Sequence, residues 1–127
     1  MTRAVLDTSA ILAWIWAEPG GERMTEVLAG AHISTVNLAE VVQKLVDEPR
    51  DEAAIREALR DLPWIILPFE ETDAVRAGLL REATRRKGLS LGDRACLALG
   101  YRLGLPVYTA DRAWAELDLG VEVVLIR

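Results

Sequence analysis

Short apolar runs alternate along this chain with longer segments whose apolar residues recur at helical spacing. Most of the short runs are bounded by proline, glycine or another turn-forming residue, as strands usually are. On this pattern we predict five strands, at residues 5–6, 32–34, 64–67, 106–109 and 121–126.

The segments between the predicted strands carry helix start and stop signals. Thr35 or Asn37 is suited to cap the helix after the second strand, and Ser90 with Asp93 resembles a capping box. Gly88 stands where a helix C-cap is expected. We predict helices at residues 9–17, 22–29, 38–46, 51–62, 72–87, 90–103 and 113–117.

Strands that alternate with helices are typical of an open, mostly parallel sheet covered by helices on both faces. The sequence contains no internal repeat, low-complexity run or linker. Its 127 residues, 51% of them hydrophobic, are enough for one sizeable core. We therefore predict a single α/β domain over residues 1–127.

Composition restricts the cellular compartment of the protein more than it restricts the chemistry of the protein. Cys96 is the only cysteine, which excludes a disulfide framework and fits a reducing cytoplasm. We expect no targeting or membrane-spanning segment, because the longest apolar stretch covers only residues 10–17. The formal net charge of −5 argues against nucleic-acid binding through a broad basic face. It allows a nuclease whose acids are gathered at a metal site.

Four acidic residues lie near the carboxyl ends of predicted strands, where ligands of open α/β sheets collect. Taken singly, Asp93 is explained as a helix cap, and Asp7 and Asp111 as turn residues. Together with Glu40, which sits among apolar residues early in a helix, they predict one cluster. Carboxylates held together repel, so the cluster favours a hard divalent cation, Mg²⁺ or Mn²⁺. We call this set the four acids: Asp7, Glu40, Asp93 and Asp111.

Four segments around these acids together resemble a PIN domain, specifically the VapC-type toxins of bacterial and archaeal toxin–antitoxin pairs. The resemblance extends over almost the whole chain and includes all four acidic positions. The segments are Val5-Leu6-Asp7-Thr8-Ser9-Ala10, Ser34-Thr35-Val36-Asn37-Leu38-Ala39-Glu40-Val41, Leu89-Ser90-Leu91-Gly92-Asp93-Arg94-Ala95 and Tyr108-Thr109-Ala110-Asp111.

The resemblance implies a Mg²⁺- or Mn²⁺-dependent endoribonuclease with a parallel sheet whose first strand is internal. By the same analogy the four acids bind metal directly or through water. Ser9 and Thr109 stand at the hydroxyl positions of the family and would orient the carboxylates or the water. The resemblance also implies an RNA substrate, a homodimer and inhibition by a small cognate antitoxin.

The first predicted helix carries two tryptophans whose placement is open. Trp14 and Trp16 lie two residues apart and therefore point to different sides of a helix. Either both are buried between the sheet and neighbouring helices, or one lies on the surface. In the second case this helix, with the one around Leu45, would line a groove for the antitoxin or the dimer partner.

Two other functions remain open: a PIN-like interaction module without catalysis, and a PIN-like nuclease that acts on another nucleic acid. The presence of all four acids disfavours the first. The lack of an inserted arch or second domain disfavours a DNA flap nuclease. A phosphorylated receiver domain is excluded, because Pro68 and Phe69 follow the third strand where its acceptor aspartate is needed. A haloacid-dehalogenase-like phosphatase is disfavoured, because Ser9 stands where its second acid is expected.

Overall fold

A five-stranded, entirely parallel sheet forms the centre of the computed structural model, which describes residues 2–127. The strand order is β3-β2-β1-β4-β5, so β1 is internal, as the family resemblance implied. The strands are β1 (Ala4–Leu6), β2 (Ala31–Ser34), β3 (Ile65–Leu67), β4 (Val107–Thr109) and β5 (Val123–Leu125).

Helices connect the strands and confirm the predicted α/β class. The α-helices are α1 (Thr8–Ile15), α2 (Thr35–Val46), α3 (Glu52–Arg60), α4 (Glu71–Leu79), α5 (Arg81–Thr84) and α6 (Leu91–Leu103). Short 3-10 helices cover Gly21–Glu26, Leu28–Gly30, Arg85–Lys87 and Arg112–Glu116. Within residues 2–127, no helix is both long and apolar enough to cross a membrane.

Two apolar clusters lie on the opposite faces of the sheet, because successive strand residues point to opposite sides. On β1, Leu6 belongs to one cluster and Val5 to the other. The Leu6 cluster is completed by side chains of α1, α2 and α3, and the Val5 cluster by side chains of α6 and of Arg112–Glu116. Helices therefore cover both faces, as predicted.

Three helix predictions were wrong in detail. The predicted 72–87 helix is divided, since α4 ends at Leu79 and the next turns are α5 and the 3-10 helix Arg85–Lys87. The break follows Gly78, a poor helix former. The predicted 22–29 helix consists of two 3-10 segments. The N-cap of α2 is Ser34, not Thr35 or Asn37, because Ser34 has extended backbone and its Oγ accepts from the Val36 amide at 3.2 Å.

Candidate active site

The structure brings the four acids together around one pocket of about 350 Å³ at the carboxyl edge of the sheet. Asp7 follows β1 directly and caps α1, while Glu40 lies on α2. Asp93 is in the first turn of α6, and Asp111 caps the 3-10 helix after β4. The other lining residues are Thr8, Ser9, Leu12, Gln43 and Lys44.

Asp7 is the most buried of the four acids, with 2% of its surface exposed. Its Oδ1 accepts hydrogen bonds from the Ala10 amide and the Ser9 hydroxyl, both at 2.8 Å. Its Oδ2 accepts from the Thr109 hydroxyl at 2.5 Å. All of these donors are neutral. Burial raises the pKa of Asp7 to about 6, although the three hydrogen bonds act in the opposite direction.

The two hydroxyls that contact Asp7 also join the start of α1 to the end of β4. Ser9 Oγ accepts from the Ala110 amide at 2.9 Å, and Thr109 Oγ1 accepts from the Asp111 amide at 3.0 Å. The hydroxyls themselves are 3.3 Å apart. Ser9 and Thr109 therefore lie where the sequence analysis expected them to orient a carboxylate, and that role itself remains a prediction.

Glu40 is held by residues that the sequence analysis did not select. Its Oε1 accepts from the Thr8 hydroxyl at 2.7 Å and from the Asn37 amide nitrogen at 3.2 Å. Asn37, which is 1% exposed, also donates to the Gly92 carbonyl at 3.2 Å. A Cβ at Gly92 would overlap the Glu40 carboxylate, so a larger residue at this position would displace that carboxylate.

One sequence signal for Asn37 was available. Residues three apart on a helix are neighbours, so an asparagine three residues before Glu40 is placed to contact it. From its residue type, Asn37 was predicted only as a possible helix cap, although it lies inside the first turn of α2. Nothing in the sequence indicated Gly92, because the contact joins helices that are distant in the chain.

Asp93 takes part in both the capping box and the pocket. Its Oδ2 accepts from the Ser90 amide at 2.9 Å, and its own amide donates to Ser90 Oγ at 3.1 Å. Burial raises the pKa of Asp93, and the nearby charges of Glu40 and Asp111 act in the same direction. Asp93 can therefore cap α6 and line the pocket at the same time.

Asp111 is the exposed member of the set. Its Oδ1 accepts from the Ala113 amide at 3.0 Å, which caps the short 3-10 helix Arg112–Glu116. This bond leaves the second carboxylate oxygen free to face the pocket. The predicted turn role of Asp111 is thus observed together with its place among the lining residues.

The proposed groove near the tryptophans differs from its prediction. Trp14 and Trp16 are both half-buried against the cluster that contains Leu6. Leu45 itself is fully buried, but the helix around it, α2, lines an apolar groove of about 490 Å³ together with α3. Val42, Val46 and Leu59 are among the lining residues of that groove, and α1 contributes none, which is where the structure differs from the prediction.

A family model described as PIN domain matches residues 4–119 of this sequence. The chain belongs to the PIN-domain family. No curated protein matches the sequence of this PIN domain. The family assignment agrees with the observed parallel sheet.

Solved structures show the same fold. A chain of DNA-bound VapBC from Salmonella typhimurium has a TM-score of 0.76 and 20% identity, with 100% of both chains covered. VapC20 from Mycobacterium tuberculosis, a sarcin–ricin loop cleaving toxin, has a TM-score of 0.72 and 15% identity, with 91% of this PIN domain and 96% of that chain covered. VapBC-5 from the same organism has a TM-score of 0.65 and 26% identity, with 100% and 99% covered.

Proposed function

We propose that this chain, a single PIN domain over residues 1–127, is a metal-dependent endoribonuclease and the toxin of a type II toxin–antitoxin pair. The observation that carries the proposal is the pocket lined by the four acids. Its most buried member, Asp7, has no cationic partner among residues 2–127. A buried carboxylate without a counter-charge is costly unless a cation is supplied.

The donor set of the pocket fits Mg²⁺ or Mn²⁺. All four acids offer oxygen ligands, and the pocket also contains the hydroxyls of Thr8 and Ser9. No three acidic, histidine or cysteine side chains in the described part of the chain are close enough to enclose one ion by themselves. This spread suits Mg²⁺, which keeps several waters and is bound by one or two carboxylates together with substrate phosphate.

Asp7, Glu40, Asp93 and Asp111 would hold the metal directly or through water. When bound, the metal would lower the pKa of a water and neutralise charge on the phosphate. Ser9 and Thr109 fix the Asp7 carboxylate, while Thr8 and Asn37 fix that of Glu40. These bonds keep the carboxylates oriented before substrate arrives, which reduces the cost of assembling the site.

Hydrolysis of the phosphodiester also requires a proton acceptor. A carboxylate of the pocket that is not fully engaged with metal would take the proton from the attacking water. Within residues 2–127, no serine–histidine or cysteine–histidine pair lies at the pocket, because Cys96 is buried and His32 lies within β2. Direct attack of water is therefore proposed, with 5′-phosphate and 3′-hydroxyl products.

Proteins of the same fold support the biological role. One of them is a sarcin–ricin loop cleaving toxin, another was solved as a toxin–antitoxin complex from Klebsiella pneumoniae, and another as DNA-bound VapBC from Salmonella typhimurium. By that analogy we propose RNA as substrate, a cognate antitoxin as inhibitor and a homodimer as the assembly.

The test is cleavage of a labelled RNA mixture by the purified protein with Mn²⁺, with Mg²⁺ and with chelator. Single-stranded DNA is included as a second substrate. Asp7→Asn should lower the cleavage rate by at least about a hundredfold, since even partners outside the ligand set cost that much at metal sites. Asp51→Asn is the matched control, because Asp51 caps α3 through the same Oδ1 to backbone amide bond of 2.8 Å.

Each alternative function has its own outcome in this experiment. Metal-dependent cutting of DNA alone would favour the nuclease of another nucleic acid. No cutting and no Mn²⁺ binding by folded protein would favour the interaction module. Cutting that persists in Asp7→Asn would contradict the proposed site.

A further inference from the structure

Helix α2 presents more than Glu40 to the pocket. Gln43 and Lys44 also line it, three and four residues after Glu40, so the three side chains share one face of the helix. Among the lining residues of the described chain, Lys44 is the only cation. Its place beside four acids requires an explanation, because the proposed function assigned it no role.

One explanation is that Lys44 offsets the repulsion between the acids. A lysine with that role would pair with one of them. Within residues 2–127, however, Lys44 takes part in none of the ion pairs, although the other lysine, Lys87, pairs with Glu116. Lys44 is exposed, so its ammonium group is free to meet a ligand that enters from solvent.

The position of Lys44 indicates which part of an RNA it would meet. Four residues along α2 correspond to a rise of about 6 Å, so Lys44 is roughly one turn beyond Glu40. A phosphate under attack would lie at the acids and the metal, where it is neutralised. The flexible four-carbon stem of lysine carries a point charge that suits a single phosphate contact at some distance from that centre.

We propose that Lys44 binds the backbone phosphate next to the one that is cleaved. This inference rests on the proposed function and adds a second phosphate position to the same pocket. A contact of this kind positions the RNA strand and carries no sequence information. It would hold the strand across a pocket whose four acids otherwise repel it.

The test measures RNA binding in the Asp7→Asn background, so that the RNA stays uncut. Adding Lys44→Ala should weaken binding about three- to tenfold, the range that corresponds to the loss of one typical hydrogen bond. It should also reduce the slope of log affinity against log salt by about 0.7, the value for one phosphate on a single strand. Lys44→Arg should restore most of the affinity.

The matched control is Arg60→Ala, which removes one positive charge from exposed α3 outside the pocket. A second arm replaces single phosphates of the RNA, one at a time around the cleavage site, by neutral methylphosphonates. One replacement next to the cleaved linkage should weaken binding of the Asp7→Asn parent and have no further effect after Lys44→Ala. The phosphate that Lys44 contacts is the one whose replacement weakens binding of the parent but not of the Lys44→Ala protein.

Several outcomes would overturn the inference. Equal RNA affinity and equal salt slope in Lys44→Ala and Arg60→Ala would do so. So would tighter Mn²⁺ binding by Lys44→Ala with unchanged RNA affinity, because Lys44 would then only offset the acids. If the Asp7→Asn parent binds no RNA, and the otherwise native protein cuts none, the proposed function fails as well.

Discussion

Asp7 and Asp73 are two equally buried aspartates with opposite surroundings. Each has 2% of its surface exposed and lies at the start of a helix. Asp73 faces Arg102, whose Nε and Nη2 donate to its two carboxylate oxygens at 2.9 and 3.1 Å. Asp7 receives only neutral donors, from two hydroxyls and a backbone amide.

The difference separates an acid that is paired within the protein from one that we propose to bind a metal ion. The pKa of Arg102 is raised because Asp73 accepts its hydrogen bonds, so Asp73 has a cationic partner within the protein. The pKa of Asp7 is raised to about 6 because its burial is not offset by a cation. A fold that places one buried acid beside an arginine and another beside hydroxyls leaves the second available to an external cation.

Removing Arg102 should leave Asp73 without a cationic partner, as Asp7 is. Arg102→Ala would leave Asp73 buried without its counter-charge, and we expect the free energy of unfolding at pH 7 to fall by about 3 kcal/mol. This is the low end of the range for broken buried pairs, because the Arg102 side chain is 27% exposed. Urea denaturation measures the loss.

The control for this change is Arg56→Ala, which removes an arginine paired with Glu52 on the surface of α3. Exposed pairs contribute about 0–1 kcal/mol, so its effect should be small. Equal losses in the two variants would show that the burial of Asp73 has no energetic consequence.

Neutralising Asp7 should raise the free energy of unfolding, whereas removing Arg102 should lower it. The folded-state pKa of about 6 lies above the ordinary value of 3.8, so the folded protein holds the proton more tightly than the unfolded chain. The stability gained from this proton is complete below the ordinary pKa and is lost as pH rises through about 6. At pH 7, Asp7→Asn should therefore stabilise the metal-free protein by about 3 kcal/mol.

Thermal denaturation at pH 4 and pH 7 checks the sign, since the gain should almost vanish at the lower pH. Asp51→Asn serves again as control, because asparagine and aspartate are equivalent N-caps and Asp51 is exposed. Mn²⁺ should raise the melting temperature of the wild type and not that of Asp7→Asn. Destabilisation of metal-free Asp7→Asn at pH 7 would contradict the comparison.

The smallest effect is expected from removing the Thr109 hydroxyl, which contacts Asp7 as Arg102 contacts Asp73. Thr109→Val keeps the shape but removes the donor to Asp7 Oδ2 and the acceptor of the Asp111 amide. We expect Mn²⁺ affinity to fall about tenfold, as is usual for partners that orient metal ligands. Isothermal titration calorimetry measures the affinity.

Thr84→Val is the control for this change, because Thr84 is equally buried and its hydroxyl donates to the Leu80 carbonyl at 2.8 Å, away from the pocket. Both variants should lose a similar amount of stability. Unchanged Mn²⁺ affinity in Thr109→Val would show that Ser9 and the Ala10 amide orient Asp7 without it.

The sequence was sufficient for features that depend on local chemistry. The turn of chain at Asp7, the capping box of Ser90 and Asp93 and the left-handed Gly88 all followed from the residue types, and the structure contains each of them. The proximity of the four acids followed from a general rule about the carboxyl ends of parallel strands.

The features that escaped prediction depend on contacts between distant segments. Asn37 donates to Thr8 and to Gly92, which are 29 and 55 residues away in the chain. The pairing of Asp73 with Arg102 spans 29 residues and requires α4 to pack against α6. The position of Lys44 at the pocket depends on how α2 is rotated about its axis, which the boundaries of the helix alone do not determine.

The position of β1 between β2 and β4 has a consequence for the order of synthesis. Thr109, a hydrogen-bond partner of Asp7, is synthesised 102 residues after it. At about 5–20 residues per second, several seconds separate the two. During that interval the nascent chain lacks β4 and Asp111, so the pocket is incomplete. The proposed nuclease therefore cannot act before β4 and Asp111 have been synthesised.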